Sequence, residues 1–108
     1  MTPLNFTRMV RAVMKIDYGT VKTVERLAAL CVVSSFSPRP TEAARLLDVK
    51  PATFSRMLSS LEDDGLVKVY KDMLDNRAFT LALTRKGNTA LRTALDNYNE
   101  GVDGVLKR

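Results

Sequence analysis

Histidine and tryptophan are missing from this chain of 108 residues, and cysteine occurs once. These absences exclude whole classes of chemistry. Without an imidazole and with a single thiol, the usual transition-metal ligand sets cannot be assembled, nor can a His-based triad or general base. No metal site, cofactor or catalytic residue is therefore expected. Catalysis would fall to carboxylates or lysines, and the one dense carboxylate group, Glu62-Asp63-Asp64, stands at a helix end where it faces solvent rather than a metal. An enzyme is disfavoured. The lone Cys31 cannot make an internal disulfide. It lies in the apolar run "LAALCVV", where a small thiol packs well and no neighbouring base or cation activates it. Nor is there a run of about 18 apolar residues fit to span a bilayer, or a charged-then-apolar leader at the amino end. A reducing cytoplasm is the expected home, with no membrane partner.

What the chain does have is an ordinary balance for a globular protein, 45% apolar and 27% charged, enough for one domain over residues 1–108 with a modest core. Its net charge is +5 and its isoelectric point is near 9.7, a basic excess that favours a polyanionic partner such as nucleic acid or an anionic surface. Residues 1–38 hold 5 basic and 2 acidic side chains, residues 39–92 hold 10 and 7, and residues 93–108 reverse the sign with 2 and 3. Only placement in three dimensions can turn that excess into a binding patch.

The apolar pattern divides the chain into elements. Phe6, Met9, Val10, Val13 and Met14 recur at three-and-four spacing and predict a first helix over 4–16, ended by Asp17-Tyr18-Gly19. Thr20 is the expected N-cap of a second helix to about Ser35, with Val21, Val24, Leu27, Ala28 and Cys31 on its buried side and almost no charge beyond Arg26. Pro40 opens a helix of about two turns that packs Ala43, Ala44 and Leu47 inward, and Asp48 can take the left-handed backbone of a tight turn. Pro51 then opens a helix over 51–64 with Phe54, Leu58 and Leu61 as its inward stripe and Gly65 just past its end. A short helix, a tight turn and a second helix make a helix-turn-helix candidate.

Two strands follow, "LVKVY" and "AFTLAL", the second alternating at Phe79, Leu81 and Leu83. Between them runs a loop over 71–77, where Asp75-Asn76 suits the turn. Thr84 caps a last helix over 85–99 with Ala90, Leu91, Ala94, Leu95 and Tyr98 as its stripe. Gly101 and Gly104 weaken the tail, and Gly87 allows a close backbone approach. No internal repeat or low-complexity tract is present.

This order of elements resembles the MarR family of winged helix regulators over roughly residues 20–98. The resemblance is carried by Thr53-Phe54-Ser55-Arg56 leading through Leu58 and Leu61-Glu62 to Gly65-Leu66-Val67, and by Asp75, Arg77 and Leu83-Thr84 followed by Gly87. It implies a mainly α fold with a small β-hairpin, a winged helix-turn-helix. It also implies a sequence-specific double-stranded DNA-binding transcriptional regulator, a repressor rather than an activator, acting at the nucleoid of a bacterium or archaeon or encoded by a phage or plasmid. A homodimer is implied too, with helices 4–16 and 85–99 as dimerisation elements, although this chain is shorter than typical members beyond Asn99. A small-molecule effector is implied without being identified.

The residues support that reading on their own physical terms. With Phe54, Leu58 and Leu61 inward, Ala52, Ser55, Arg56 and Ser59 fall on other faces of helix 51–64 at about 100° per residue. A helix in the major groove reads base edges with short polar groups and arginine near its amino end, where free N–H groups also attract phosphate. Pro51, Thr53, Ser55 and Arg56 are the base-edge or phosphate candidates. Lys50 loses a capping oxygen but adds a cation near phosphate. In the wing, Arg77 can enter the narrow minor groove, and the resemblance implies that Asp75 orients it. Lys68 and Lys71 flank the hairpin within reach of phosphates. The bland alternatives are a solvated Arg56 or one that partners Ser60, an Arg77 paired with Asp75 or Asp72 in solvent, and plain surface serines. The rival functions are a winged-helix protein-interaction module and a phage or plasmid accessory protein that binds DNA without strong sequence specificity. Net charge with Arg56 and Arg77 favours the regulator.

Overall fold

The fold is described from a computed structural model, which describes residues 1–71, 74 and 79–106. Among them run helices α1 (Pro3–Met14), α2 (Val24–Phe36), α3 (Pro40–Leu46) and α4 (Pro51–Asp63), strands β1 (Val67–Lys71) and β2 (Phe79–Leu83), and helix α5 (Arg85–Leu106). The strands pair antiparallel with Val67 opposite Leu83 and Lys71 opposite Phe79. This is the mainly α, hairpin-bearing winged helix expected from the sequence.

The helix-turn-helix forms as its punctuation dictates. Pro40 and Pro51 occupy first turns, Asp48 takes φ 55° between the helices, and Gly65 takes φ 74° after α4. Phe54, Leu58 and Leu61 are buried and share one core with Ala43, Ala44, Leu30, Val33, Leu66, Leu81 and Ala94. The segment before α3 also docks on the hairpin, where the Leu81 amide donates to the Pro38 carbonyl at 2.9 Å.

Four expectations shift. Thr23, not Thr20, caps α2, its hydroxyl accepting from the Arg26 amide at 3.2 Å. Thr20 sits in a 3-10 turn over Gly19–Val21, because Gly19 and Lys22 both adopt positive φ and break the chain there. The buried face of α2 is accordingly Arg26, Leu27, Ala29, Leu30 and Val33, while Val24 and Ala28 are exposed. In β2, Leu81 is buried but Phe79 is 45% exposed, since the alternation outruns the body that would cover it. Helix α5 does not fade after Asn99 but continues through Gly101 and Gly104 to Leu106. Packing overrides propensity here: α1 lies on α5, and a Cβ at Gly101 would come within 3.0 Å of Ile16 Cγ1. Finally, the apolar stripe of α1 is split. Met9 and Val13 are half-buried, whereas Phe6 and Met14 are 60% and 79% exposed, and no residue of the helix is fully buried.

The carboxylate run also resolves differently from a simple solvent face. Glu62 and Asp63 are exposed, but Asp64 is ion-paired with Lys22 at 3.0 Å and with Arg26 at 2.5 Å. The hydrogen bond from Arg26, then that from Lys22, holds its carboxyl below the ordinary 3.8. Ser60 accepts from Arg26 Nη1 at 2.7 Å, so the alternative in which Ser60 partners Arg56 is replaced by this contact.

Two outcomes follow from this packing. A Cβ at Gly87 would stand 2.0 Å from the Leu66 carbonyl oxygen, so Gly87→Ala is expected to cost roughly 2–4 kcal/mol by chemical denaturation. A change below 0.5 kcal/mol would contradict that close approach. A carboxyl whose folded pKa lies below its unfolded one stabilises above the unfolded value and loses that contribution as pH falls through the folded value. Melting temperatures of the parent and Asp64→Asn should therefore differ by a constant gap above about pH 5 that closes in stronger acid. A gap that persists undiminished at about pH 2 would show that the pair is not its source.

Candidate nucleic-acid interface

Helix α4 meets the core through Phe54, Leu58 and Leu61, with Met57 partly buried beside them, and this leaves its outward face exposed. Pro51, Thr53, Ser55, Arg56 and Ser59 are all exposed, and Lys50 before them is exposed as well. Lys50 is the N-cap and makes no side-chain capping hydrogen bond, as its chemistry dictates. The first helical bond is Phe54 N to Lys50 O at 3.0 Å, so the amides of Ala52 and Thr53 precede the intrahelical ladder. No acidic residue occupies this first turn. Free N–H groups, a helix-dipole positive end and the cation of Lys50 together favour an anion. Arg56 stands one turn further on, exposed and without an ion pair among the described residues. A cleft lined by Pro40, Thr41, Pro51, Phe54, Ser55 and Leu58 runs between the start of α3 and α4, bringing the two helix starts side by side.

The hairpin adds a second set. Lys68, Tyr70 and Lys71 on β1 are exposed, and the Lys68 ammonium lies 5.7 Å from the centre of the Tyr70 ring. That contact orients the cation on the strand while leaving it hydrated. Asp75 and Arg77, the expected wing pair, lie outside the described residues. Thr84 and Gly87, read as structural in the sequence, are so. The Thr84 hydroxyl donates to the Gly65 carbonyl at 2.6 Å and accepts from the Gly87 amide at 2.9 Å. Cys31 is partly buried, and burial pushes its thiol above the ordinary 9.0, away from reactivity.

The sequence reading missed the other end of α4, where Arg26, Lys22, Ser60 and Asp64 converge. Its only local signal was an arginine in an otherwise apolar helix, and its partners lie 34 and 38 residues away. Among the described residues no helix is long and apolar enough to cross a membrane.

Comparison with known proteins fits this geometry. Residues 34–73 match the family model described as the iron dependent repressor, N-terminal DNA binding domain. No curated protein sequence matches. Among solved structures, FabT of Streptococcus pneumoniae in complex with DNA superposes with a TM-score of 0.69 at 21% identity over 79% of this chain. The chain spans 60% of the length of that structure. MarR superposes at 0.76 with 20% identity over 98% of this chain and 82% of that one. The Mycobacterium tuberculosis transcriptional regulator MosR, in complex with DNA, superposes at 0.67 with 27% identity over 90% of this chain and 67% of its own. With its helix-turn-helix, its hairpin and its flanking helices in this order, the chain has the winged helix-turn-helix fold of the MarR-family regulators.

Proposed function

We propose that this chain binds double-stranded DNA as a transcriptional regulator, a repressor, placing the outward face of α4 in the major groove and residues 71–77 in the minor groove. The observation that carries the reading is the first half of α4, where exposed Pro51, Thr53, Ser55 and Arg56 surround uncapped amides with no acidic residue in the turn. Ser59 extends the same helix surface, and Lys50, Lys68 and Lys71 supply cations suited to phosphate. Two of the similar structures, FabT and MosR, were solved with DNA.

The exposed side of α1 gives the second part of the proposal. Leu4, Phe6, Val10 and Met14 present apolar surface that this chain does not cover. A second copy packed there removes it from water and sets two α4 helices about 34 Å apart on successive major grooves, which calls for an inverted-repeat site. The cleft beside it, lined by Arg8, Arg11, Lys15, Gly101, Gly104 and Val105, suits an anionic effector at that contact.

Selection from random duplexes, repeated across salt concentrations, tests the function. An inverted-repeat consensus is expected, with affinity falling linearly in log salt. A selection with no consensus at any salt would favour the accessory or protein-interaction readings. Arg56→Ala and Arg77→Ala should each weaken binding by about 1–3 kcal/mol while changing folding stability by less than about 0.5 kcal/mol. Binding equal to that of the parent would remove the residue concerned from the interface. For the dimer, Phe6→Asp is expected to turn a dimeric sedimentation profile monomeric, and a monomeric parent would refute that assignment.

A further inference from the structure

Arg26 is the one buried charged residue among those described, 8% exposed in a helix whose other inward residues are apolar. A guanidinium withdrawn from water needs compensation, and this one finds it only on α4. Nη1 donates to Ser60 Oγ at 2.7 Å and Nη2 meets Asp64 Oδ2 at 2.5 Å, while Nε has no partner. Ser60 and Asp64 are four residues apart, so the planar fork grips one face of the last helical turn at two points.

The grip is reinforced from both sides. Lys22 Nζ reaches the same Asp64 oxygen at 3.0 Å, and Lys86 Nζ, from the first turn of α5, donates to the Asp64 carbonyl at 2.8 Å. Lys22 is itself the centre of a γ-turn at φ 78° and ψ −48°, closed by the Thr23 amide on the Val21 carbonyl at 3.0 Å. Side chains other than glycine rarely hold that backbone, and here buried Val21 and the Thr23 cap hold it between them.

Three cations, Lys22, Arg26 and Lys86, therefore converge on the C-terminal turn of α4, the end away from the proposed base-reading residues. Apolar contact through Phe54, Leu58 and Leu61, with Met57 partly buried beside them, is non-directional. A tilt of about 10° about the C-terminal turn moves the far end of a 13-residue helix by about 3 Å, the length of a hydrogen bond. The bonds from Arg26 to Ser60 and Asp64, by contrast, carry both distance and angle requirements.

We propose that Asp64, held by Arg26 and Lys22, is a positioning residue that fixes the pitch of α4 and thereby sets how well its first turns fit a duplex, without touching DNA itself. This rests on the DNA-binding reading above.

The test uses the full chain, the duplex that the parent selects from a random library, and temperatures well below each melting point. Asp64→Asn should weaken binding by roughly three- to thirtyfold, and Asp64→Glu should restore most of it. The slope of log affinity against log salt should stay that of the parent, because no phosphate contact is lost. Lys22→Gln, which removes the more exposed cation, should give a smaller loss of the same sign and serves if Asp64→Asn does not fold. A second measurement needs no DNA. Nitroxides at Ala52, in the end of α4 that a tilt would move, and at Arg92, both exposed, in a Cys31→Ala background should show a broadened distance distribution in Asp64→Asn.

Parent-like affinity in Asp64→Asn overturns the proposal, as does a shallower salt slope, which would mean that a cation Asp64 holds, Lys22 or Arg26, itself touches phosphate. A lowered melting temperature with an unbroadened distance would also overturn it, leaving a purely structural ion pair. Should the parent select no duplex, the DNA-binding reading fails on its own, and the distance measurement still decides whether Asp64 sets the pitch of α4.

Discussion

The end of α4, both strands and the start of α5 are rooted at Leu66. Its side chain is fully buried, its amide closes α4 by donating to the Leu61 carbonyl at 2.9 Å, and its own carbonyl accepts from the Thr84 amide at 3.1 Å. The same carbonyl lies against Gly87 so closely that no side chain fits there. Thr84 completes the joint by bonding to both Gly65 and Gly87. A few backbone groups thus fix, at one place, where α4 stops, where the hairpin leaves and returns, and where α5 begins. Buried amides and carbonyls must be paired somewhere, and pairing these with one another denies the helix and the hairpin independent motion at their roots.

The parts of this arrangement that were legible in the sequence are those with strong local grammar. Helix α4 combines a clean three-residue stripe with Pro51 at one end and Gly65 at the other, and its bounds follow. The capping by Thr84 and the need for glycine at position 87 are equally local. The start of α2 is different: Thr20 and Thr23 are both good caps, and the choice between them is made by a positive-φ lysine that no propensity announces. The extension of α5 through Gly101 and Gly104 depends on α1 lying alongside, which is tertiary information. Arg26 was readable only as an oddity, because its meaning comes from residues far along the chain. Periodicity reports which face of an element is apolar, and it is silent about which polar residue has a distant partner.

Helix α1 shows the same limit from the other side. Its residues alternate between a half-buried row and an exposed apolar row. A helix of 12 residues is marginal alone, and its stability comes from burying a face. Half of that face is satisfied within the chain, by Met9, Val13 and their contact with α5. The other half, Leu4, Phe6 and Met14, is what the proposed second copy would cover, so that dimerisation and the ordering of α1 become one event in this reading.

The choice of a charge pair to hold α4 has a physical logic that an apolar contact lacks. Replacing a buried ion pair with well-packed hydrophobic side chains is often neutral or stabilising, so stability by itself does not explain Arg26. Hydrophobic contact, however, is non-directional, and a stripe of three residues can slide or tilt with little change in buried area. A guanidinium fork bonded to Ser60 and Asp64 has both distance and angle requirements, and breaking it strands a cation in the core. The cost of misalignment is therefore steep where the cost of merely looser packing would be gradual. A helix that, in the proposed function, presents small polar groups to base edges gains from that steepness at the opposite end.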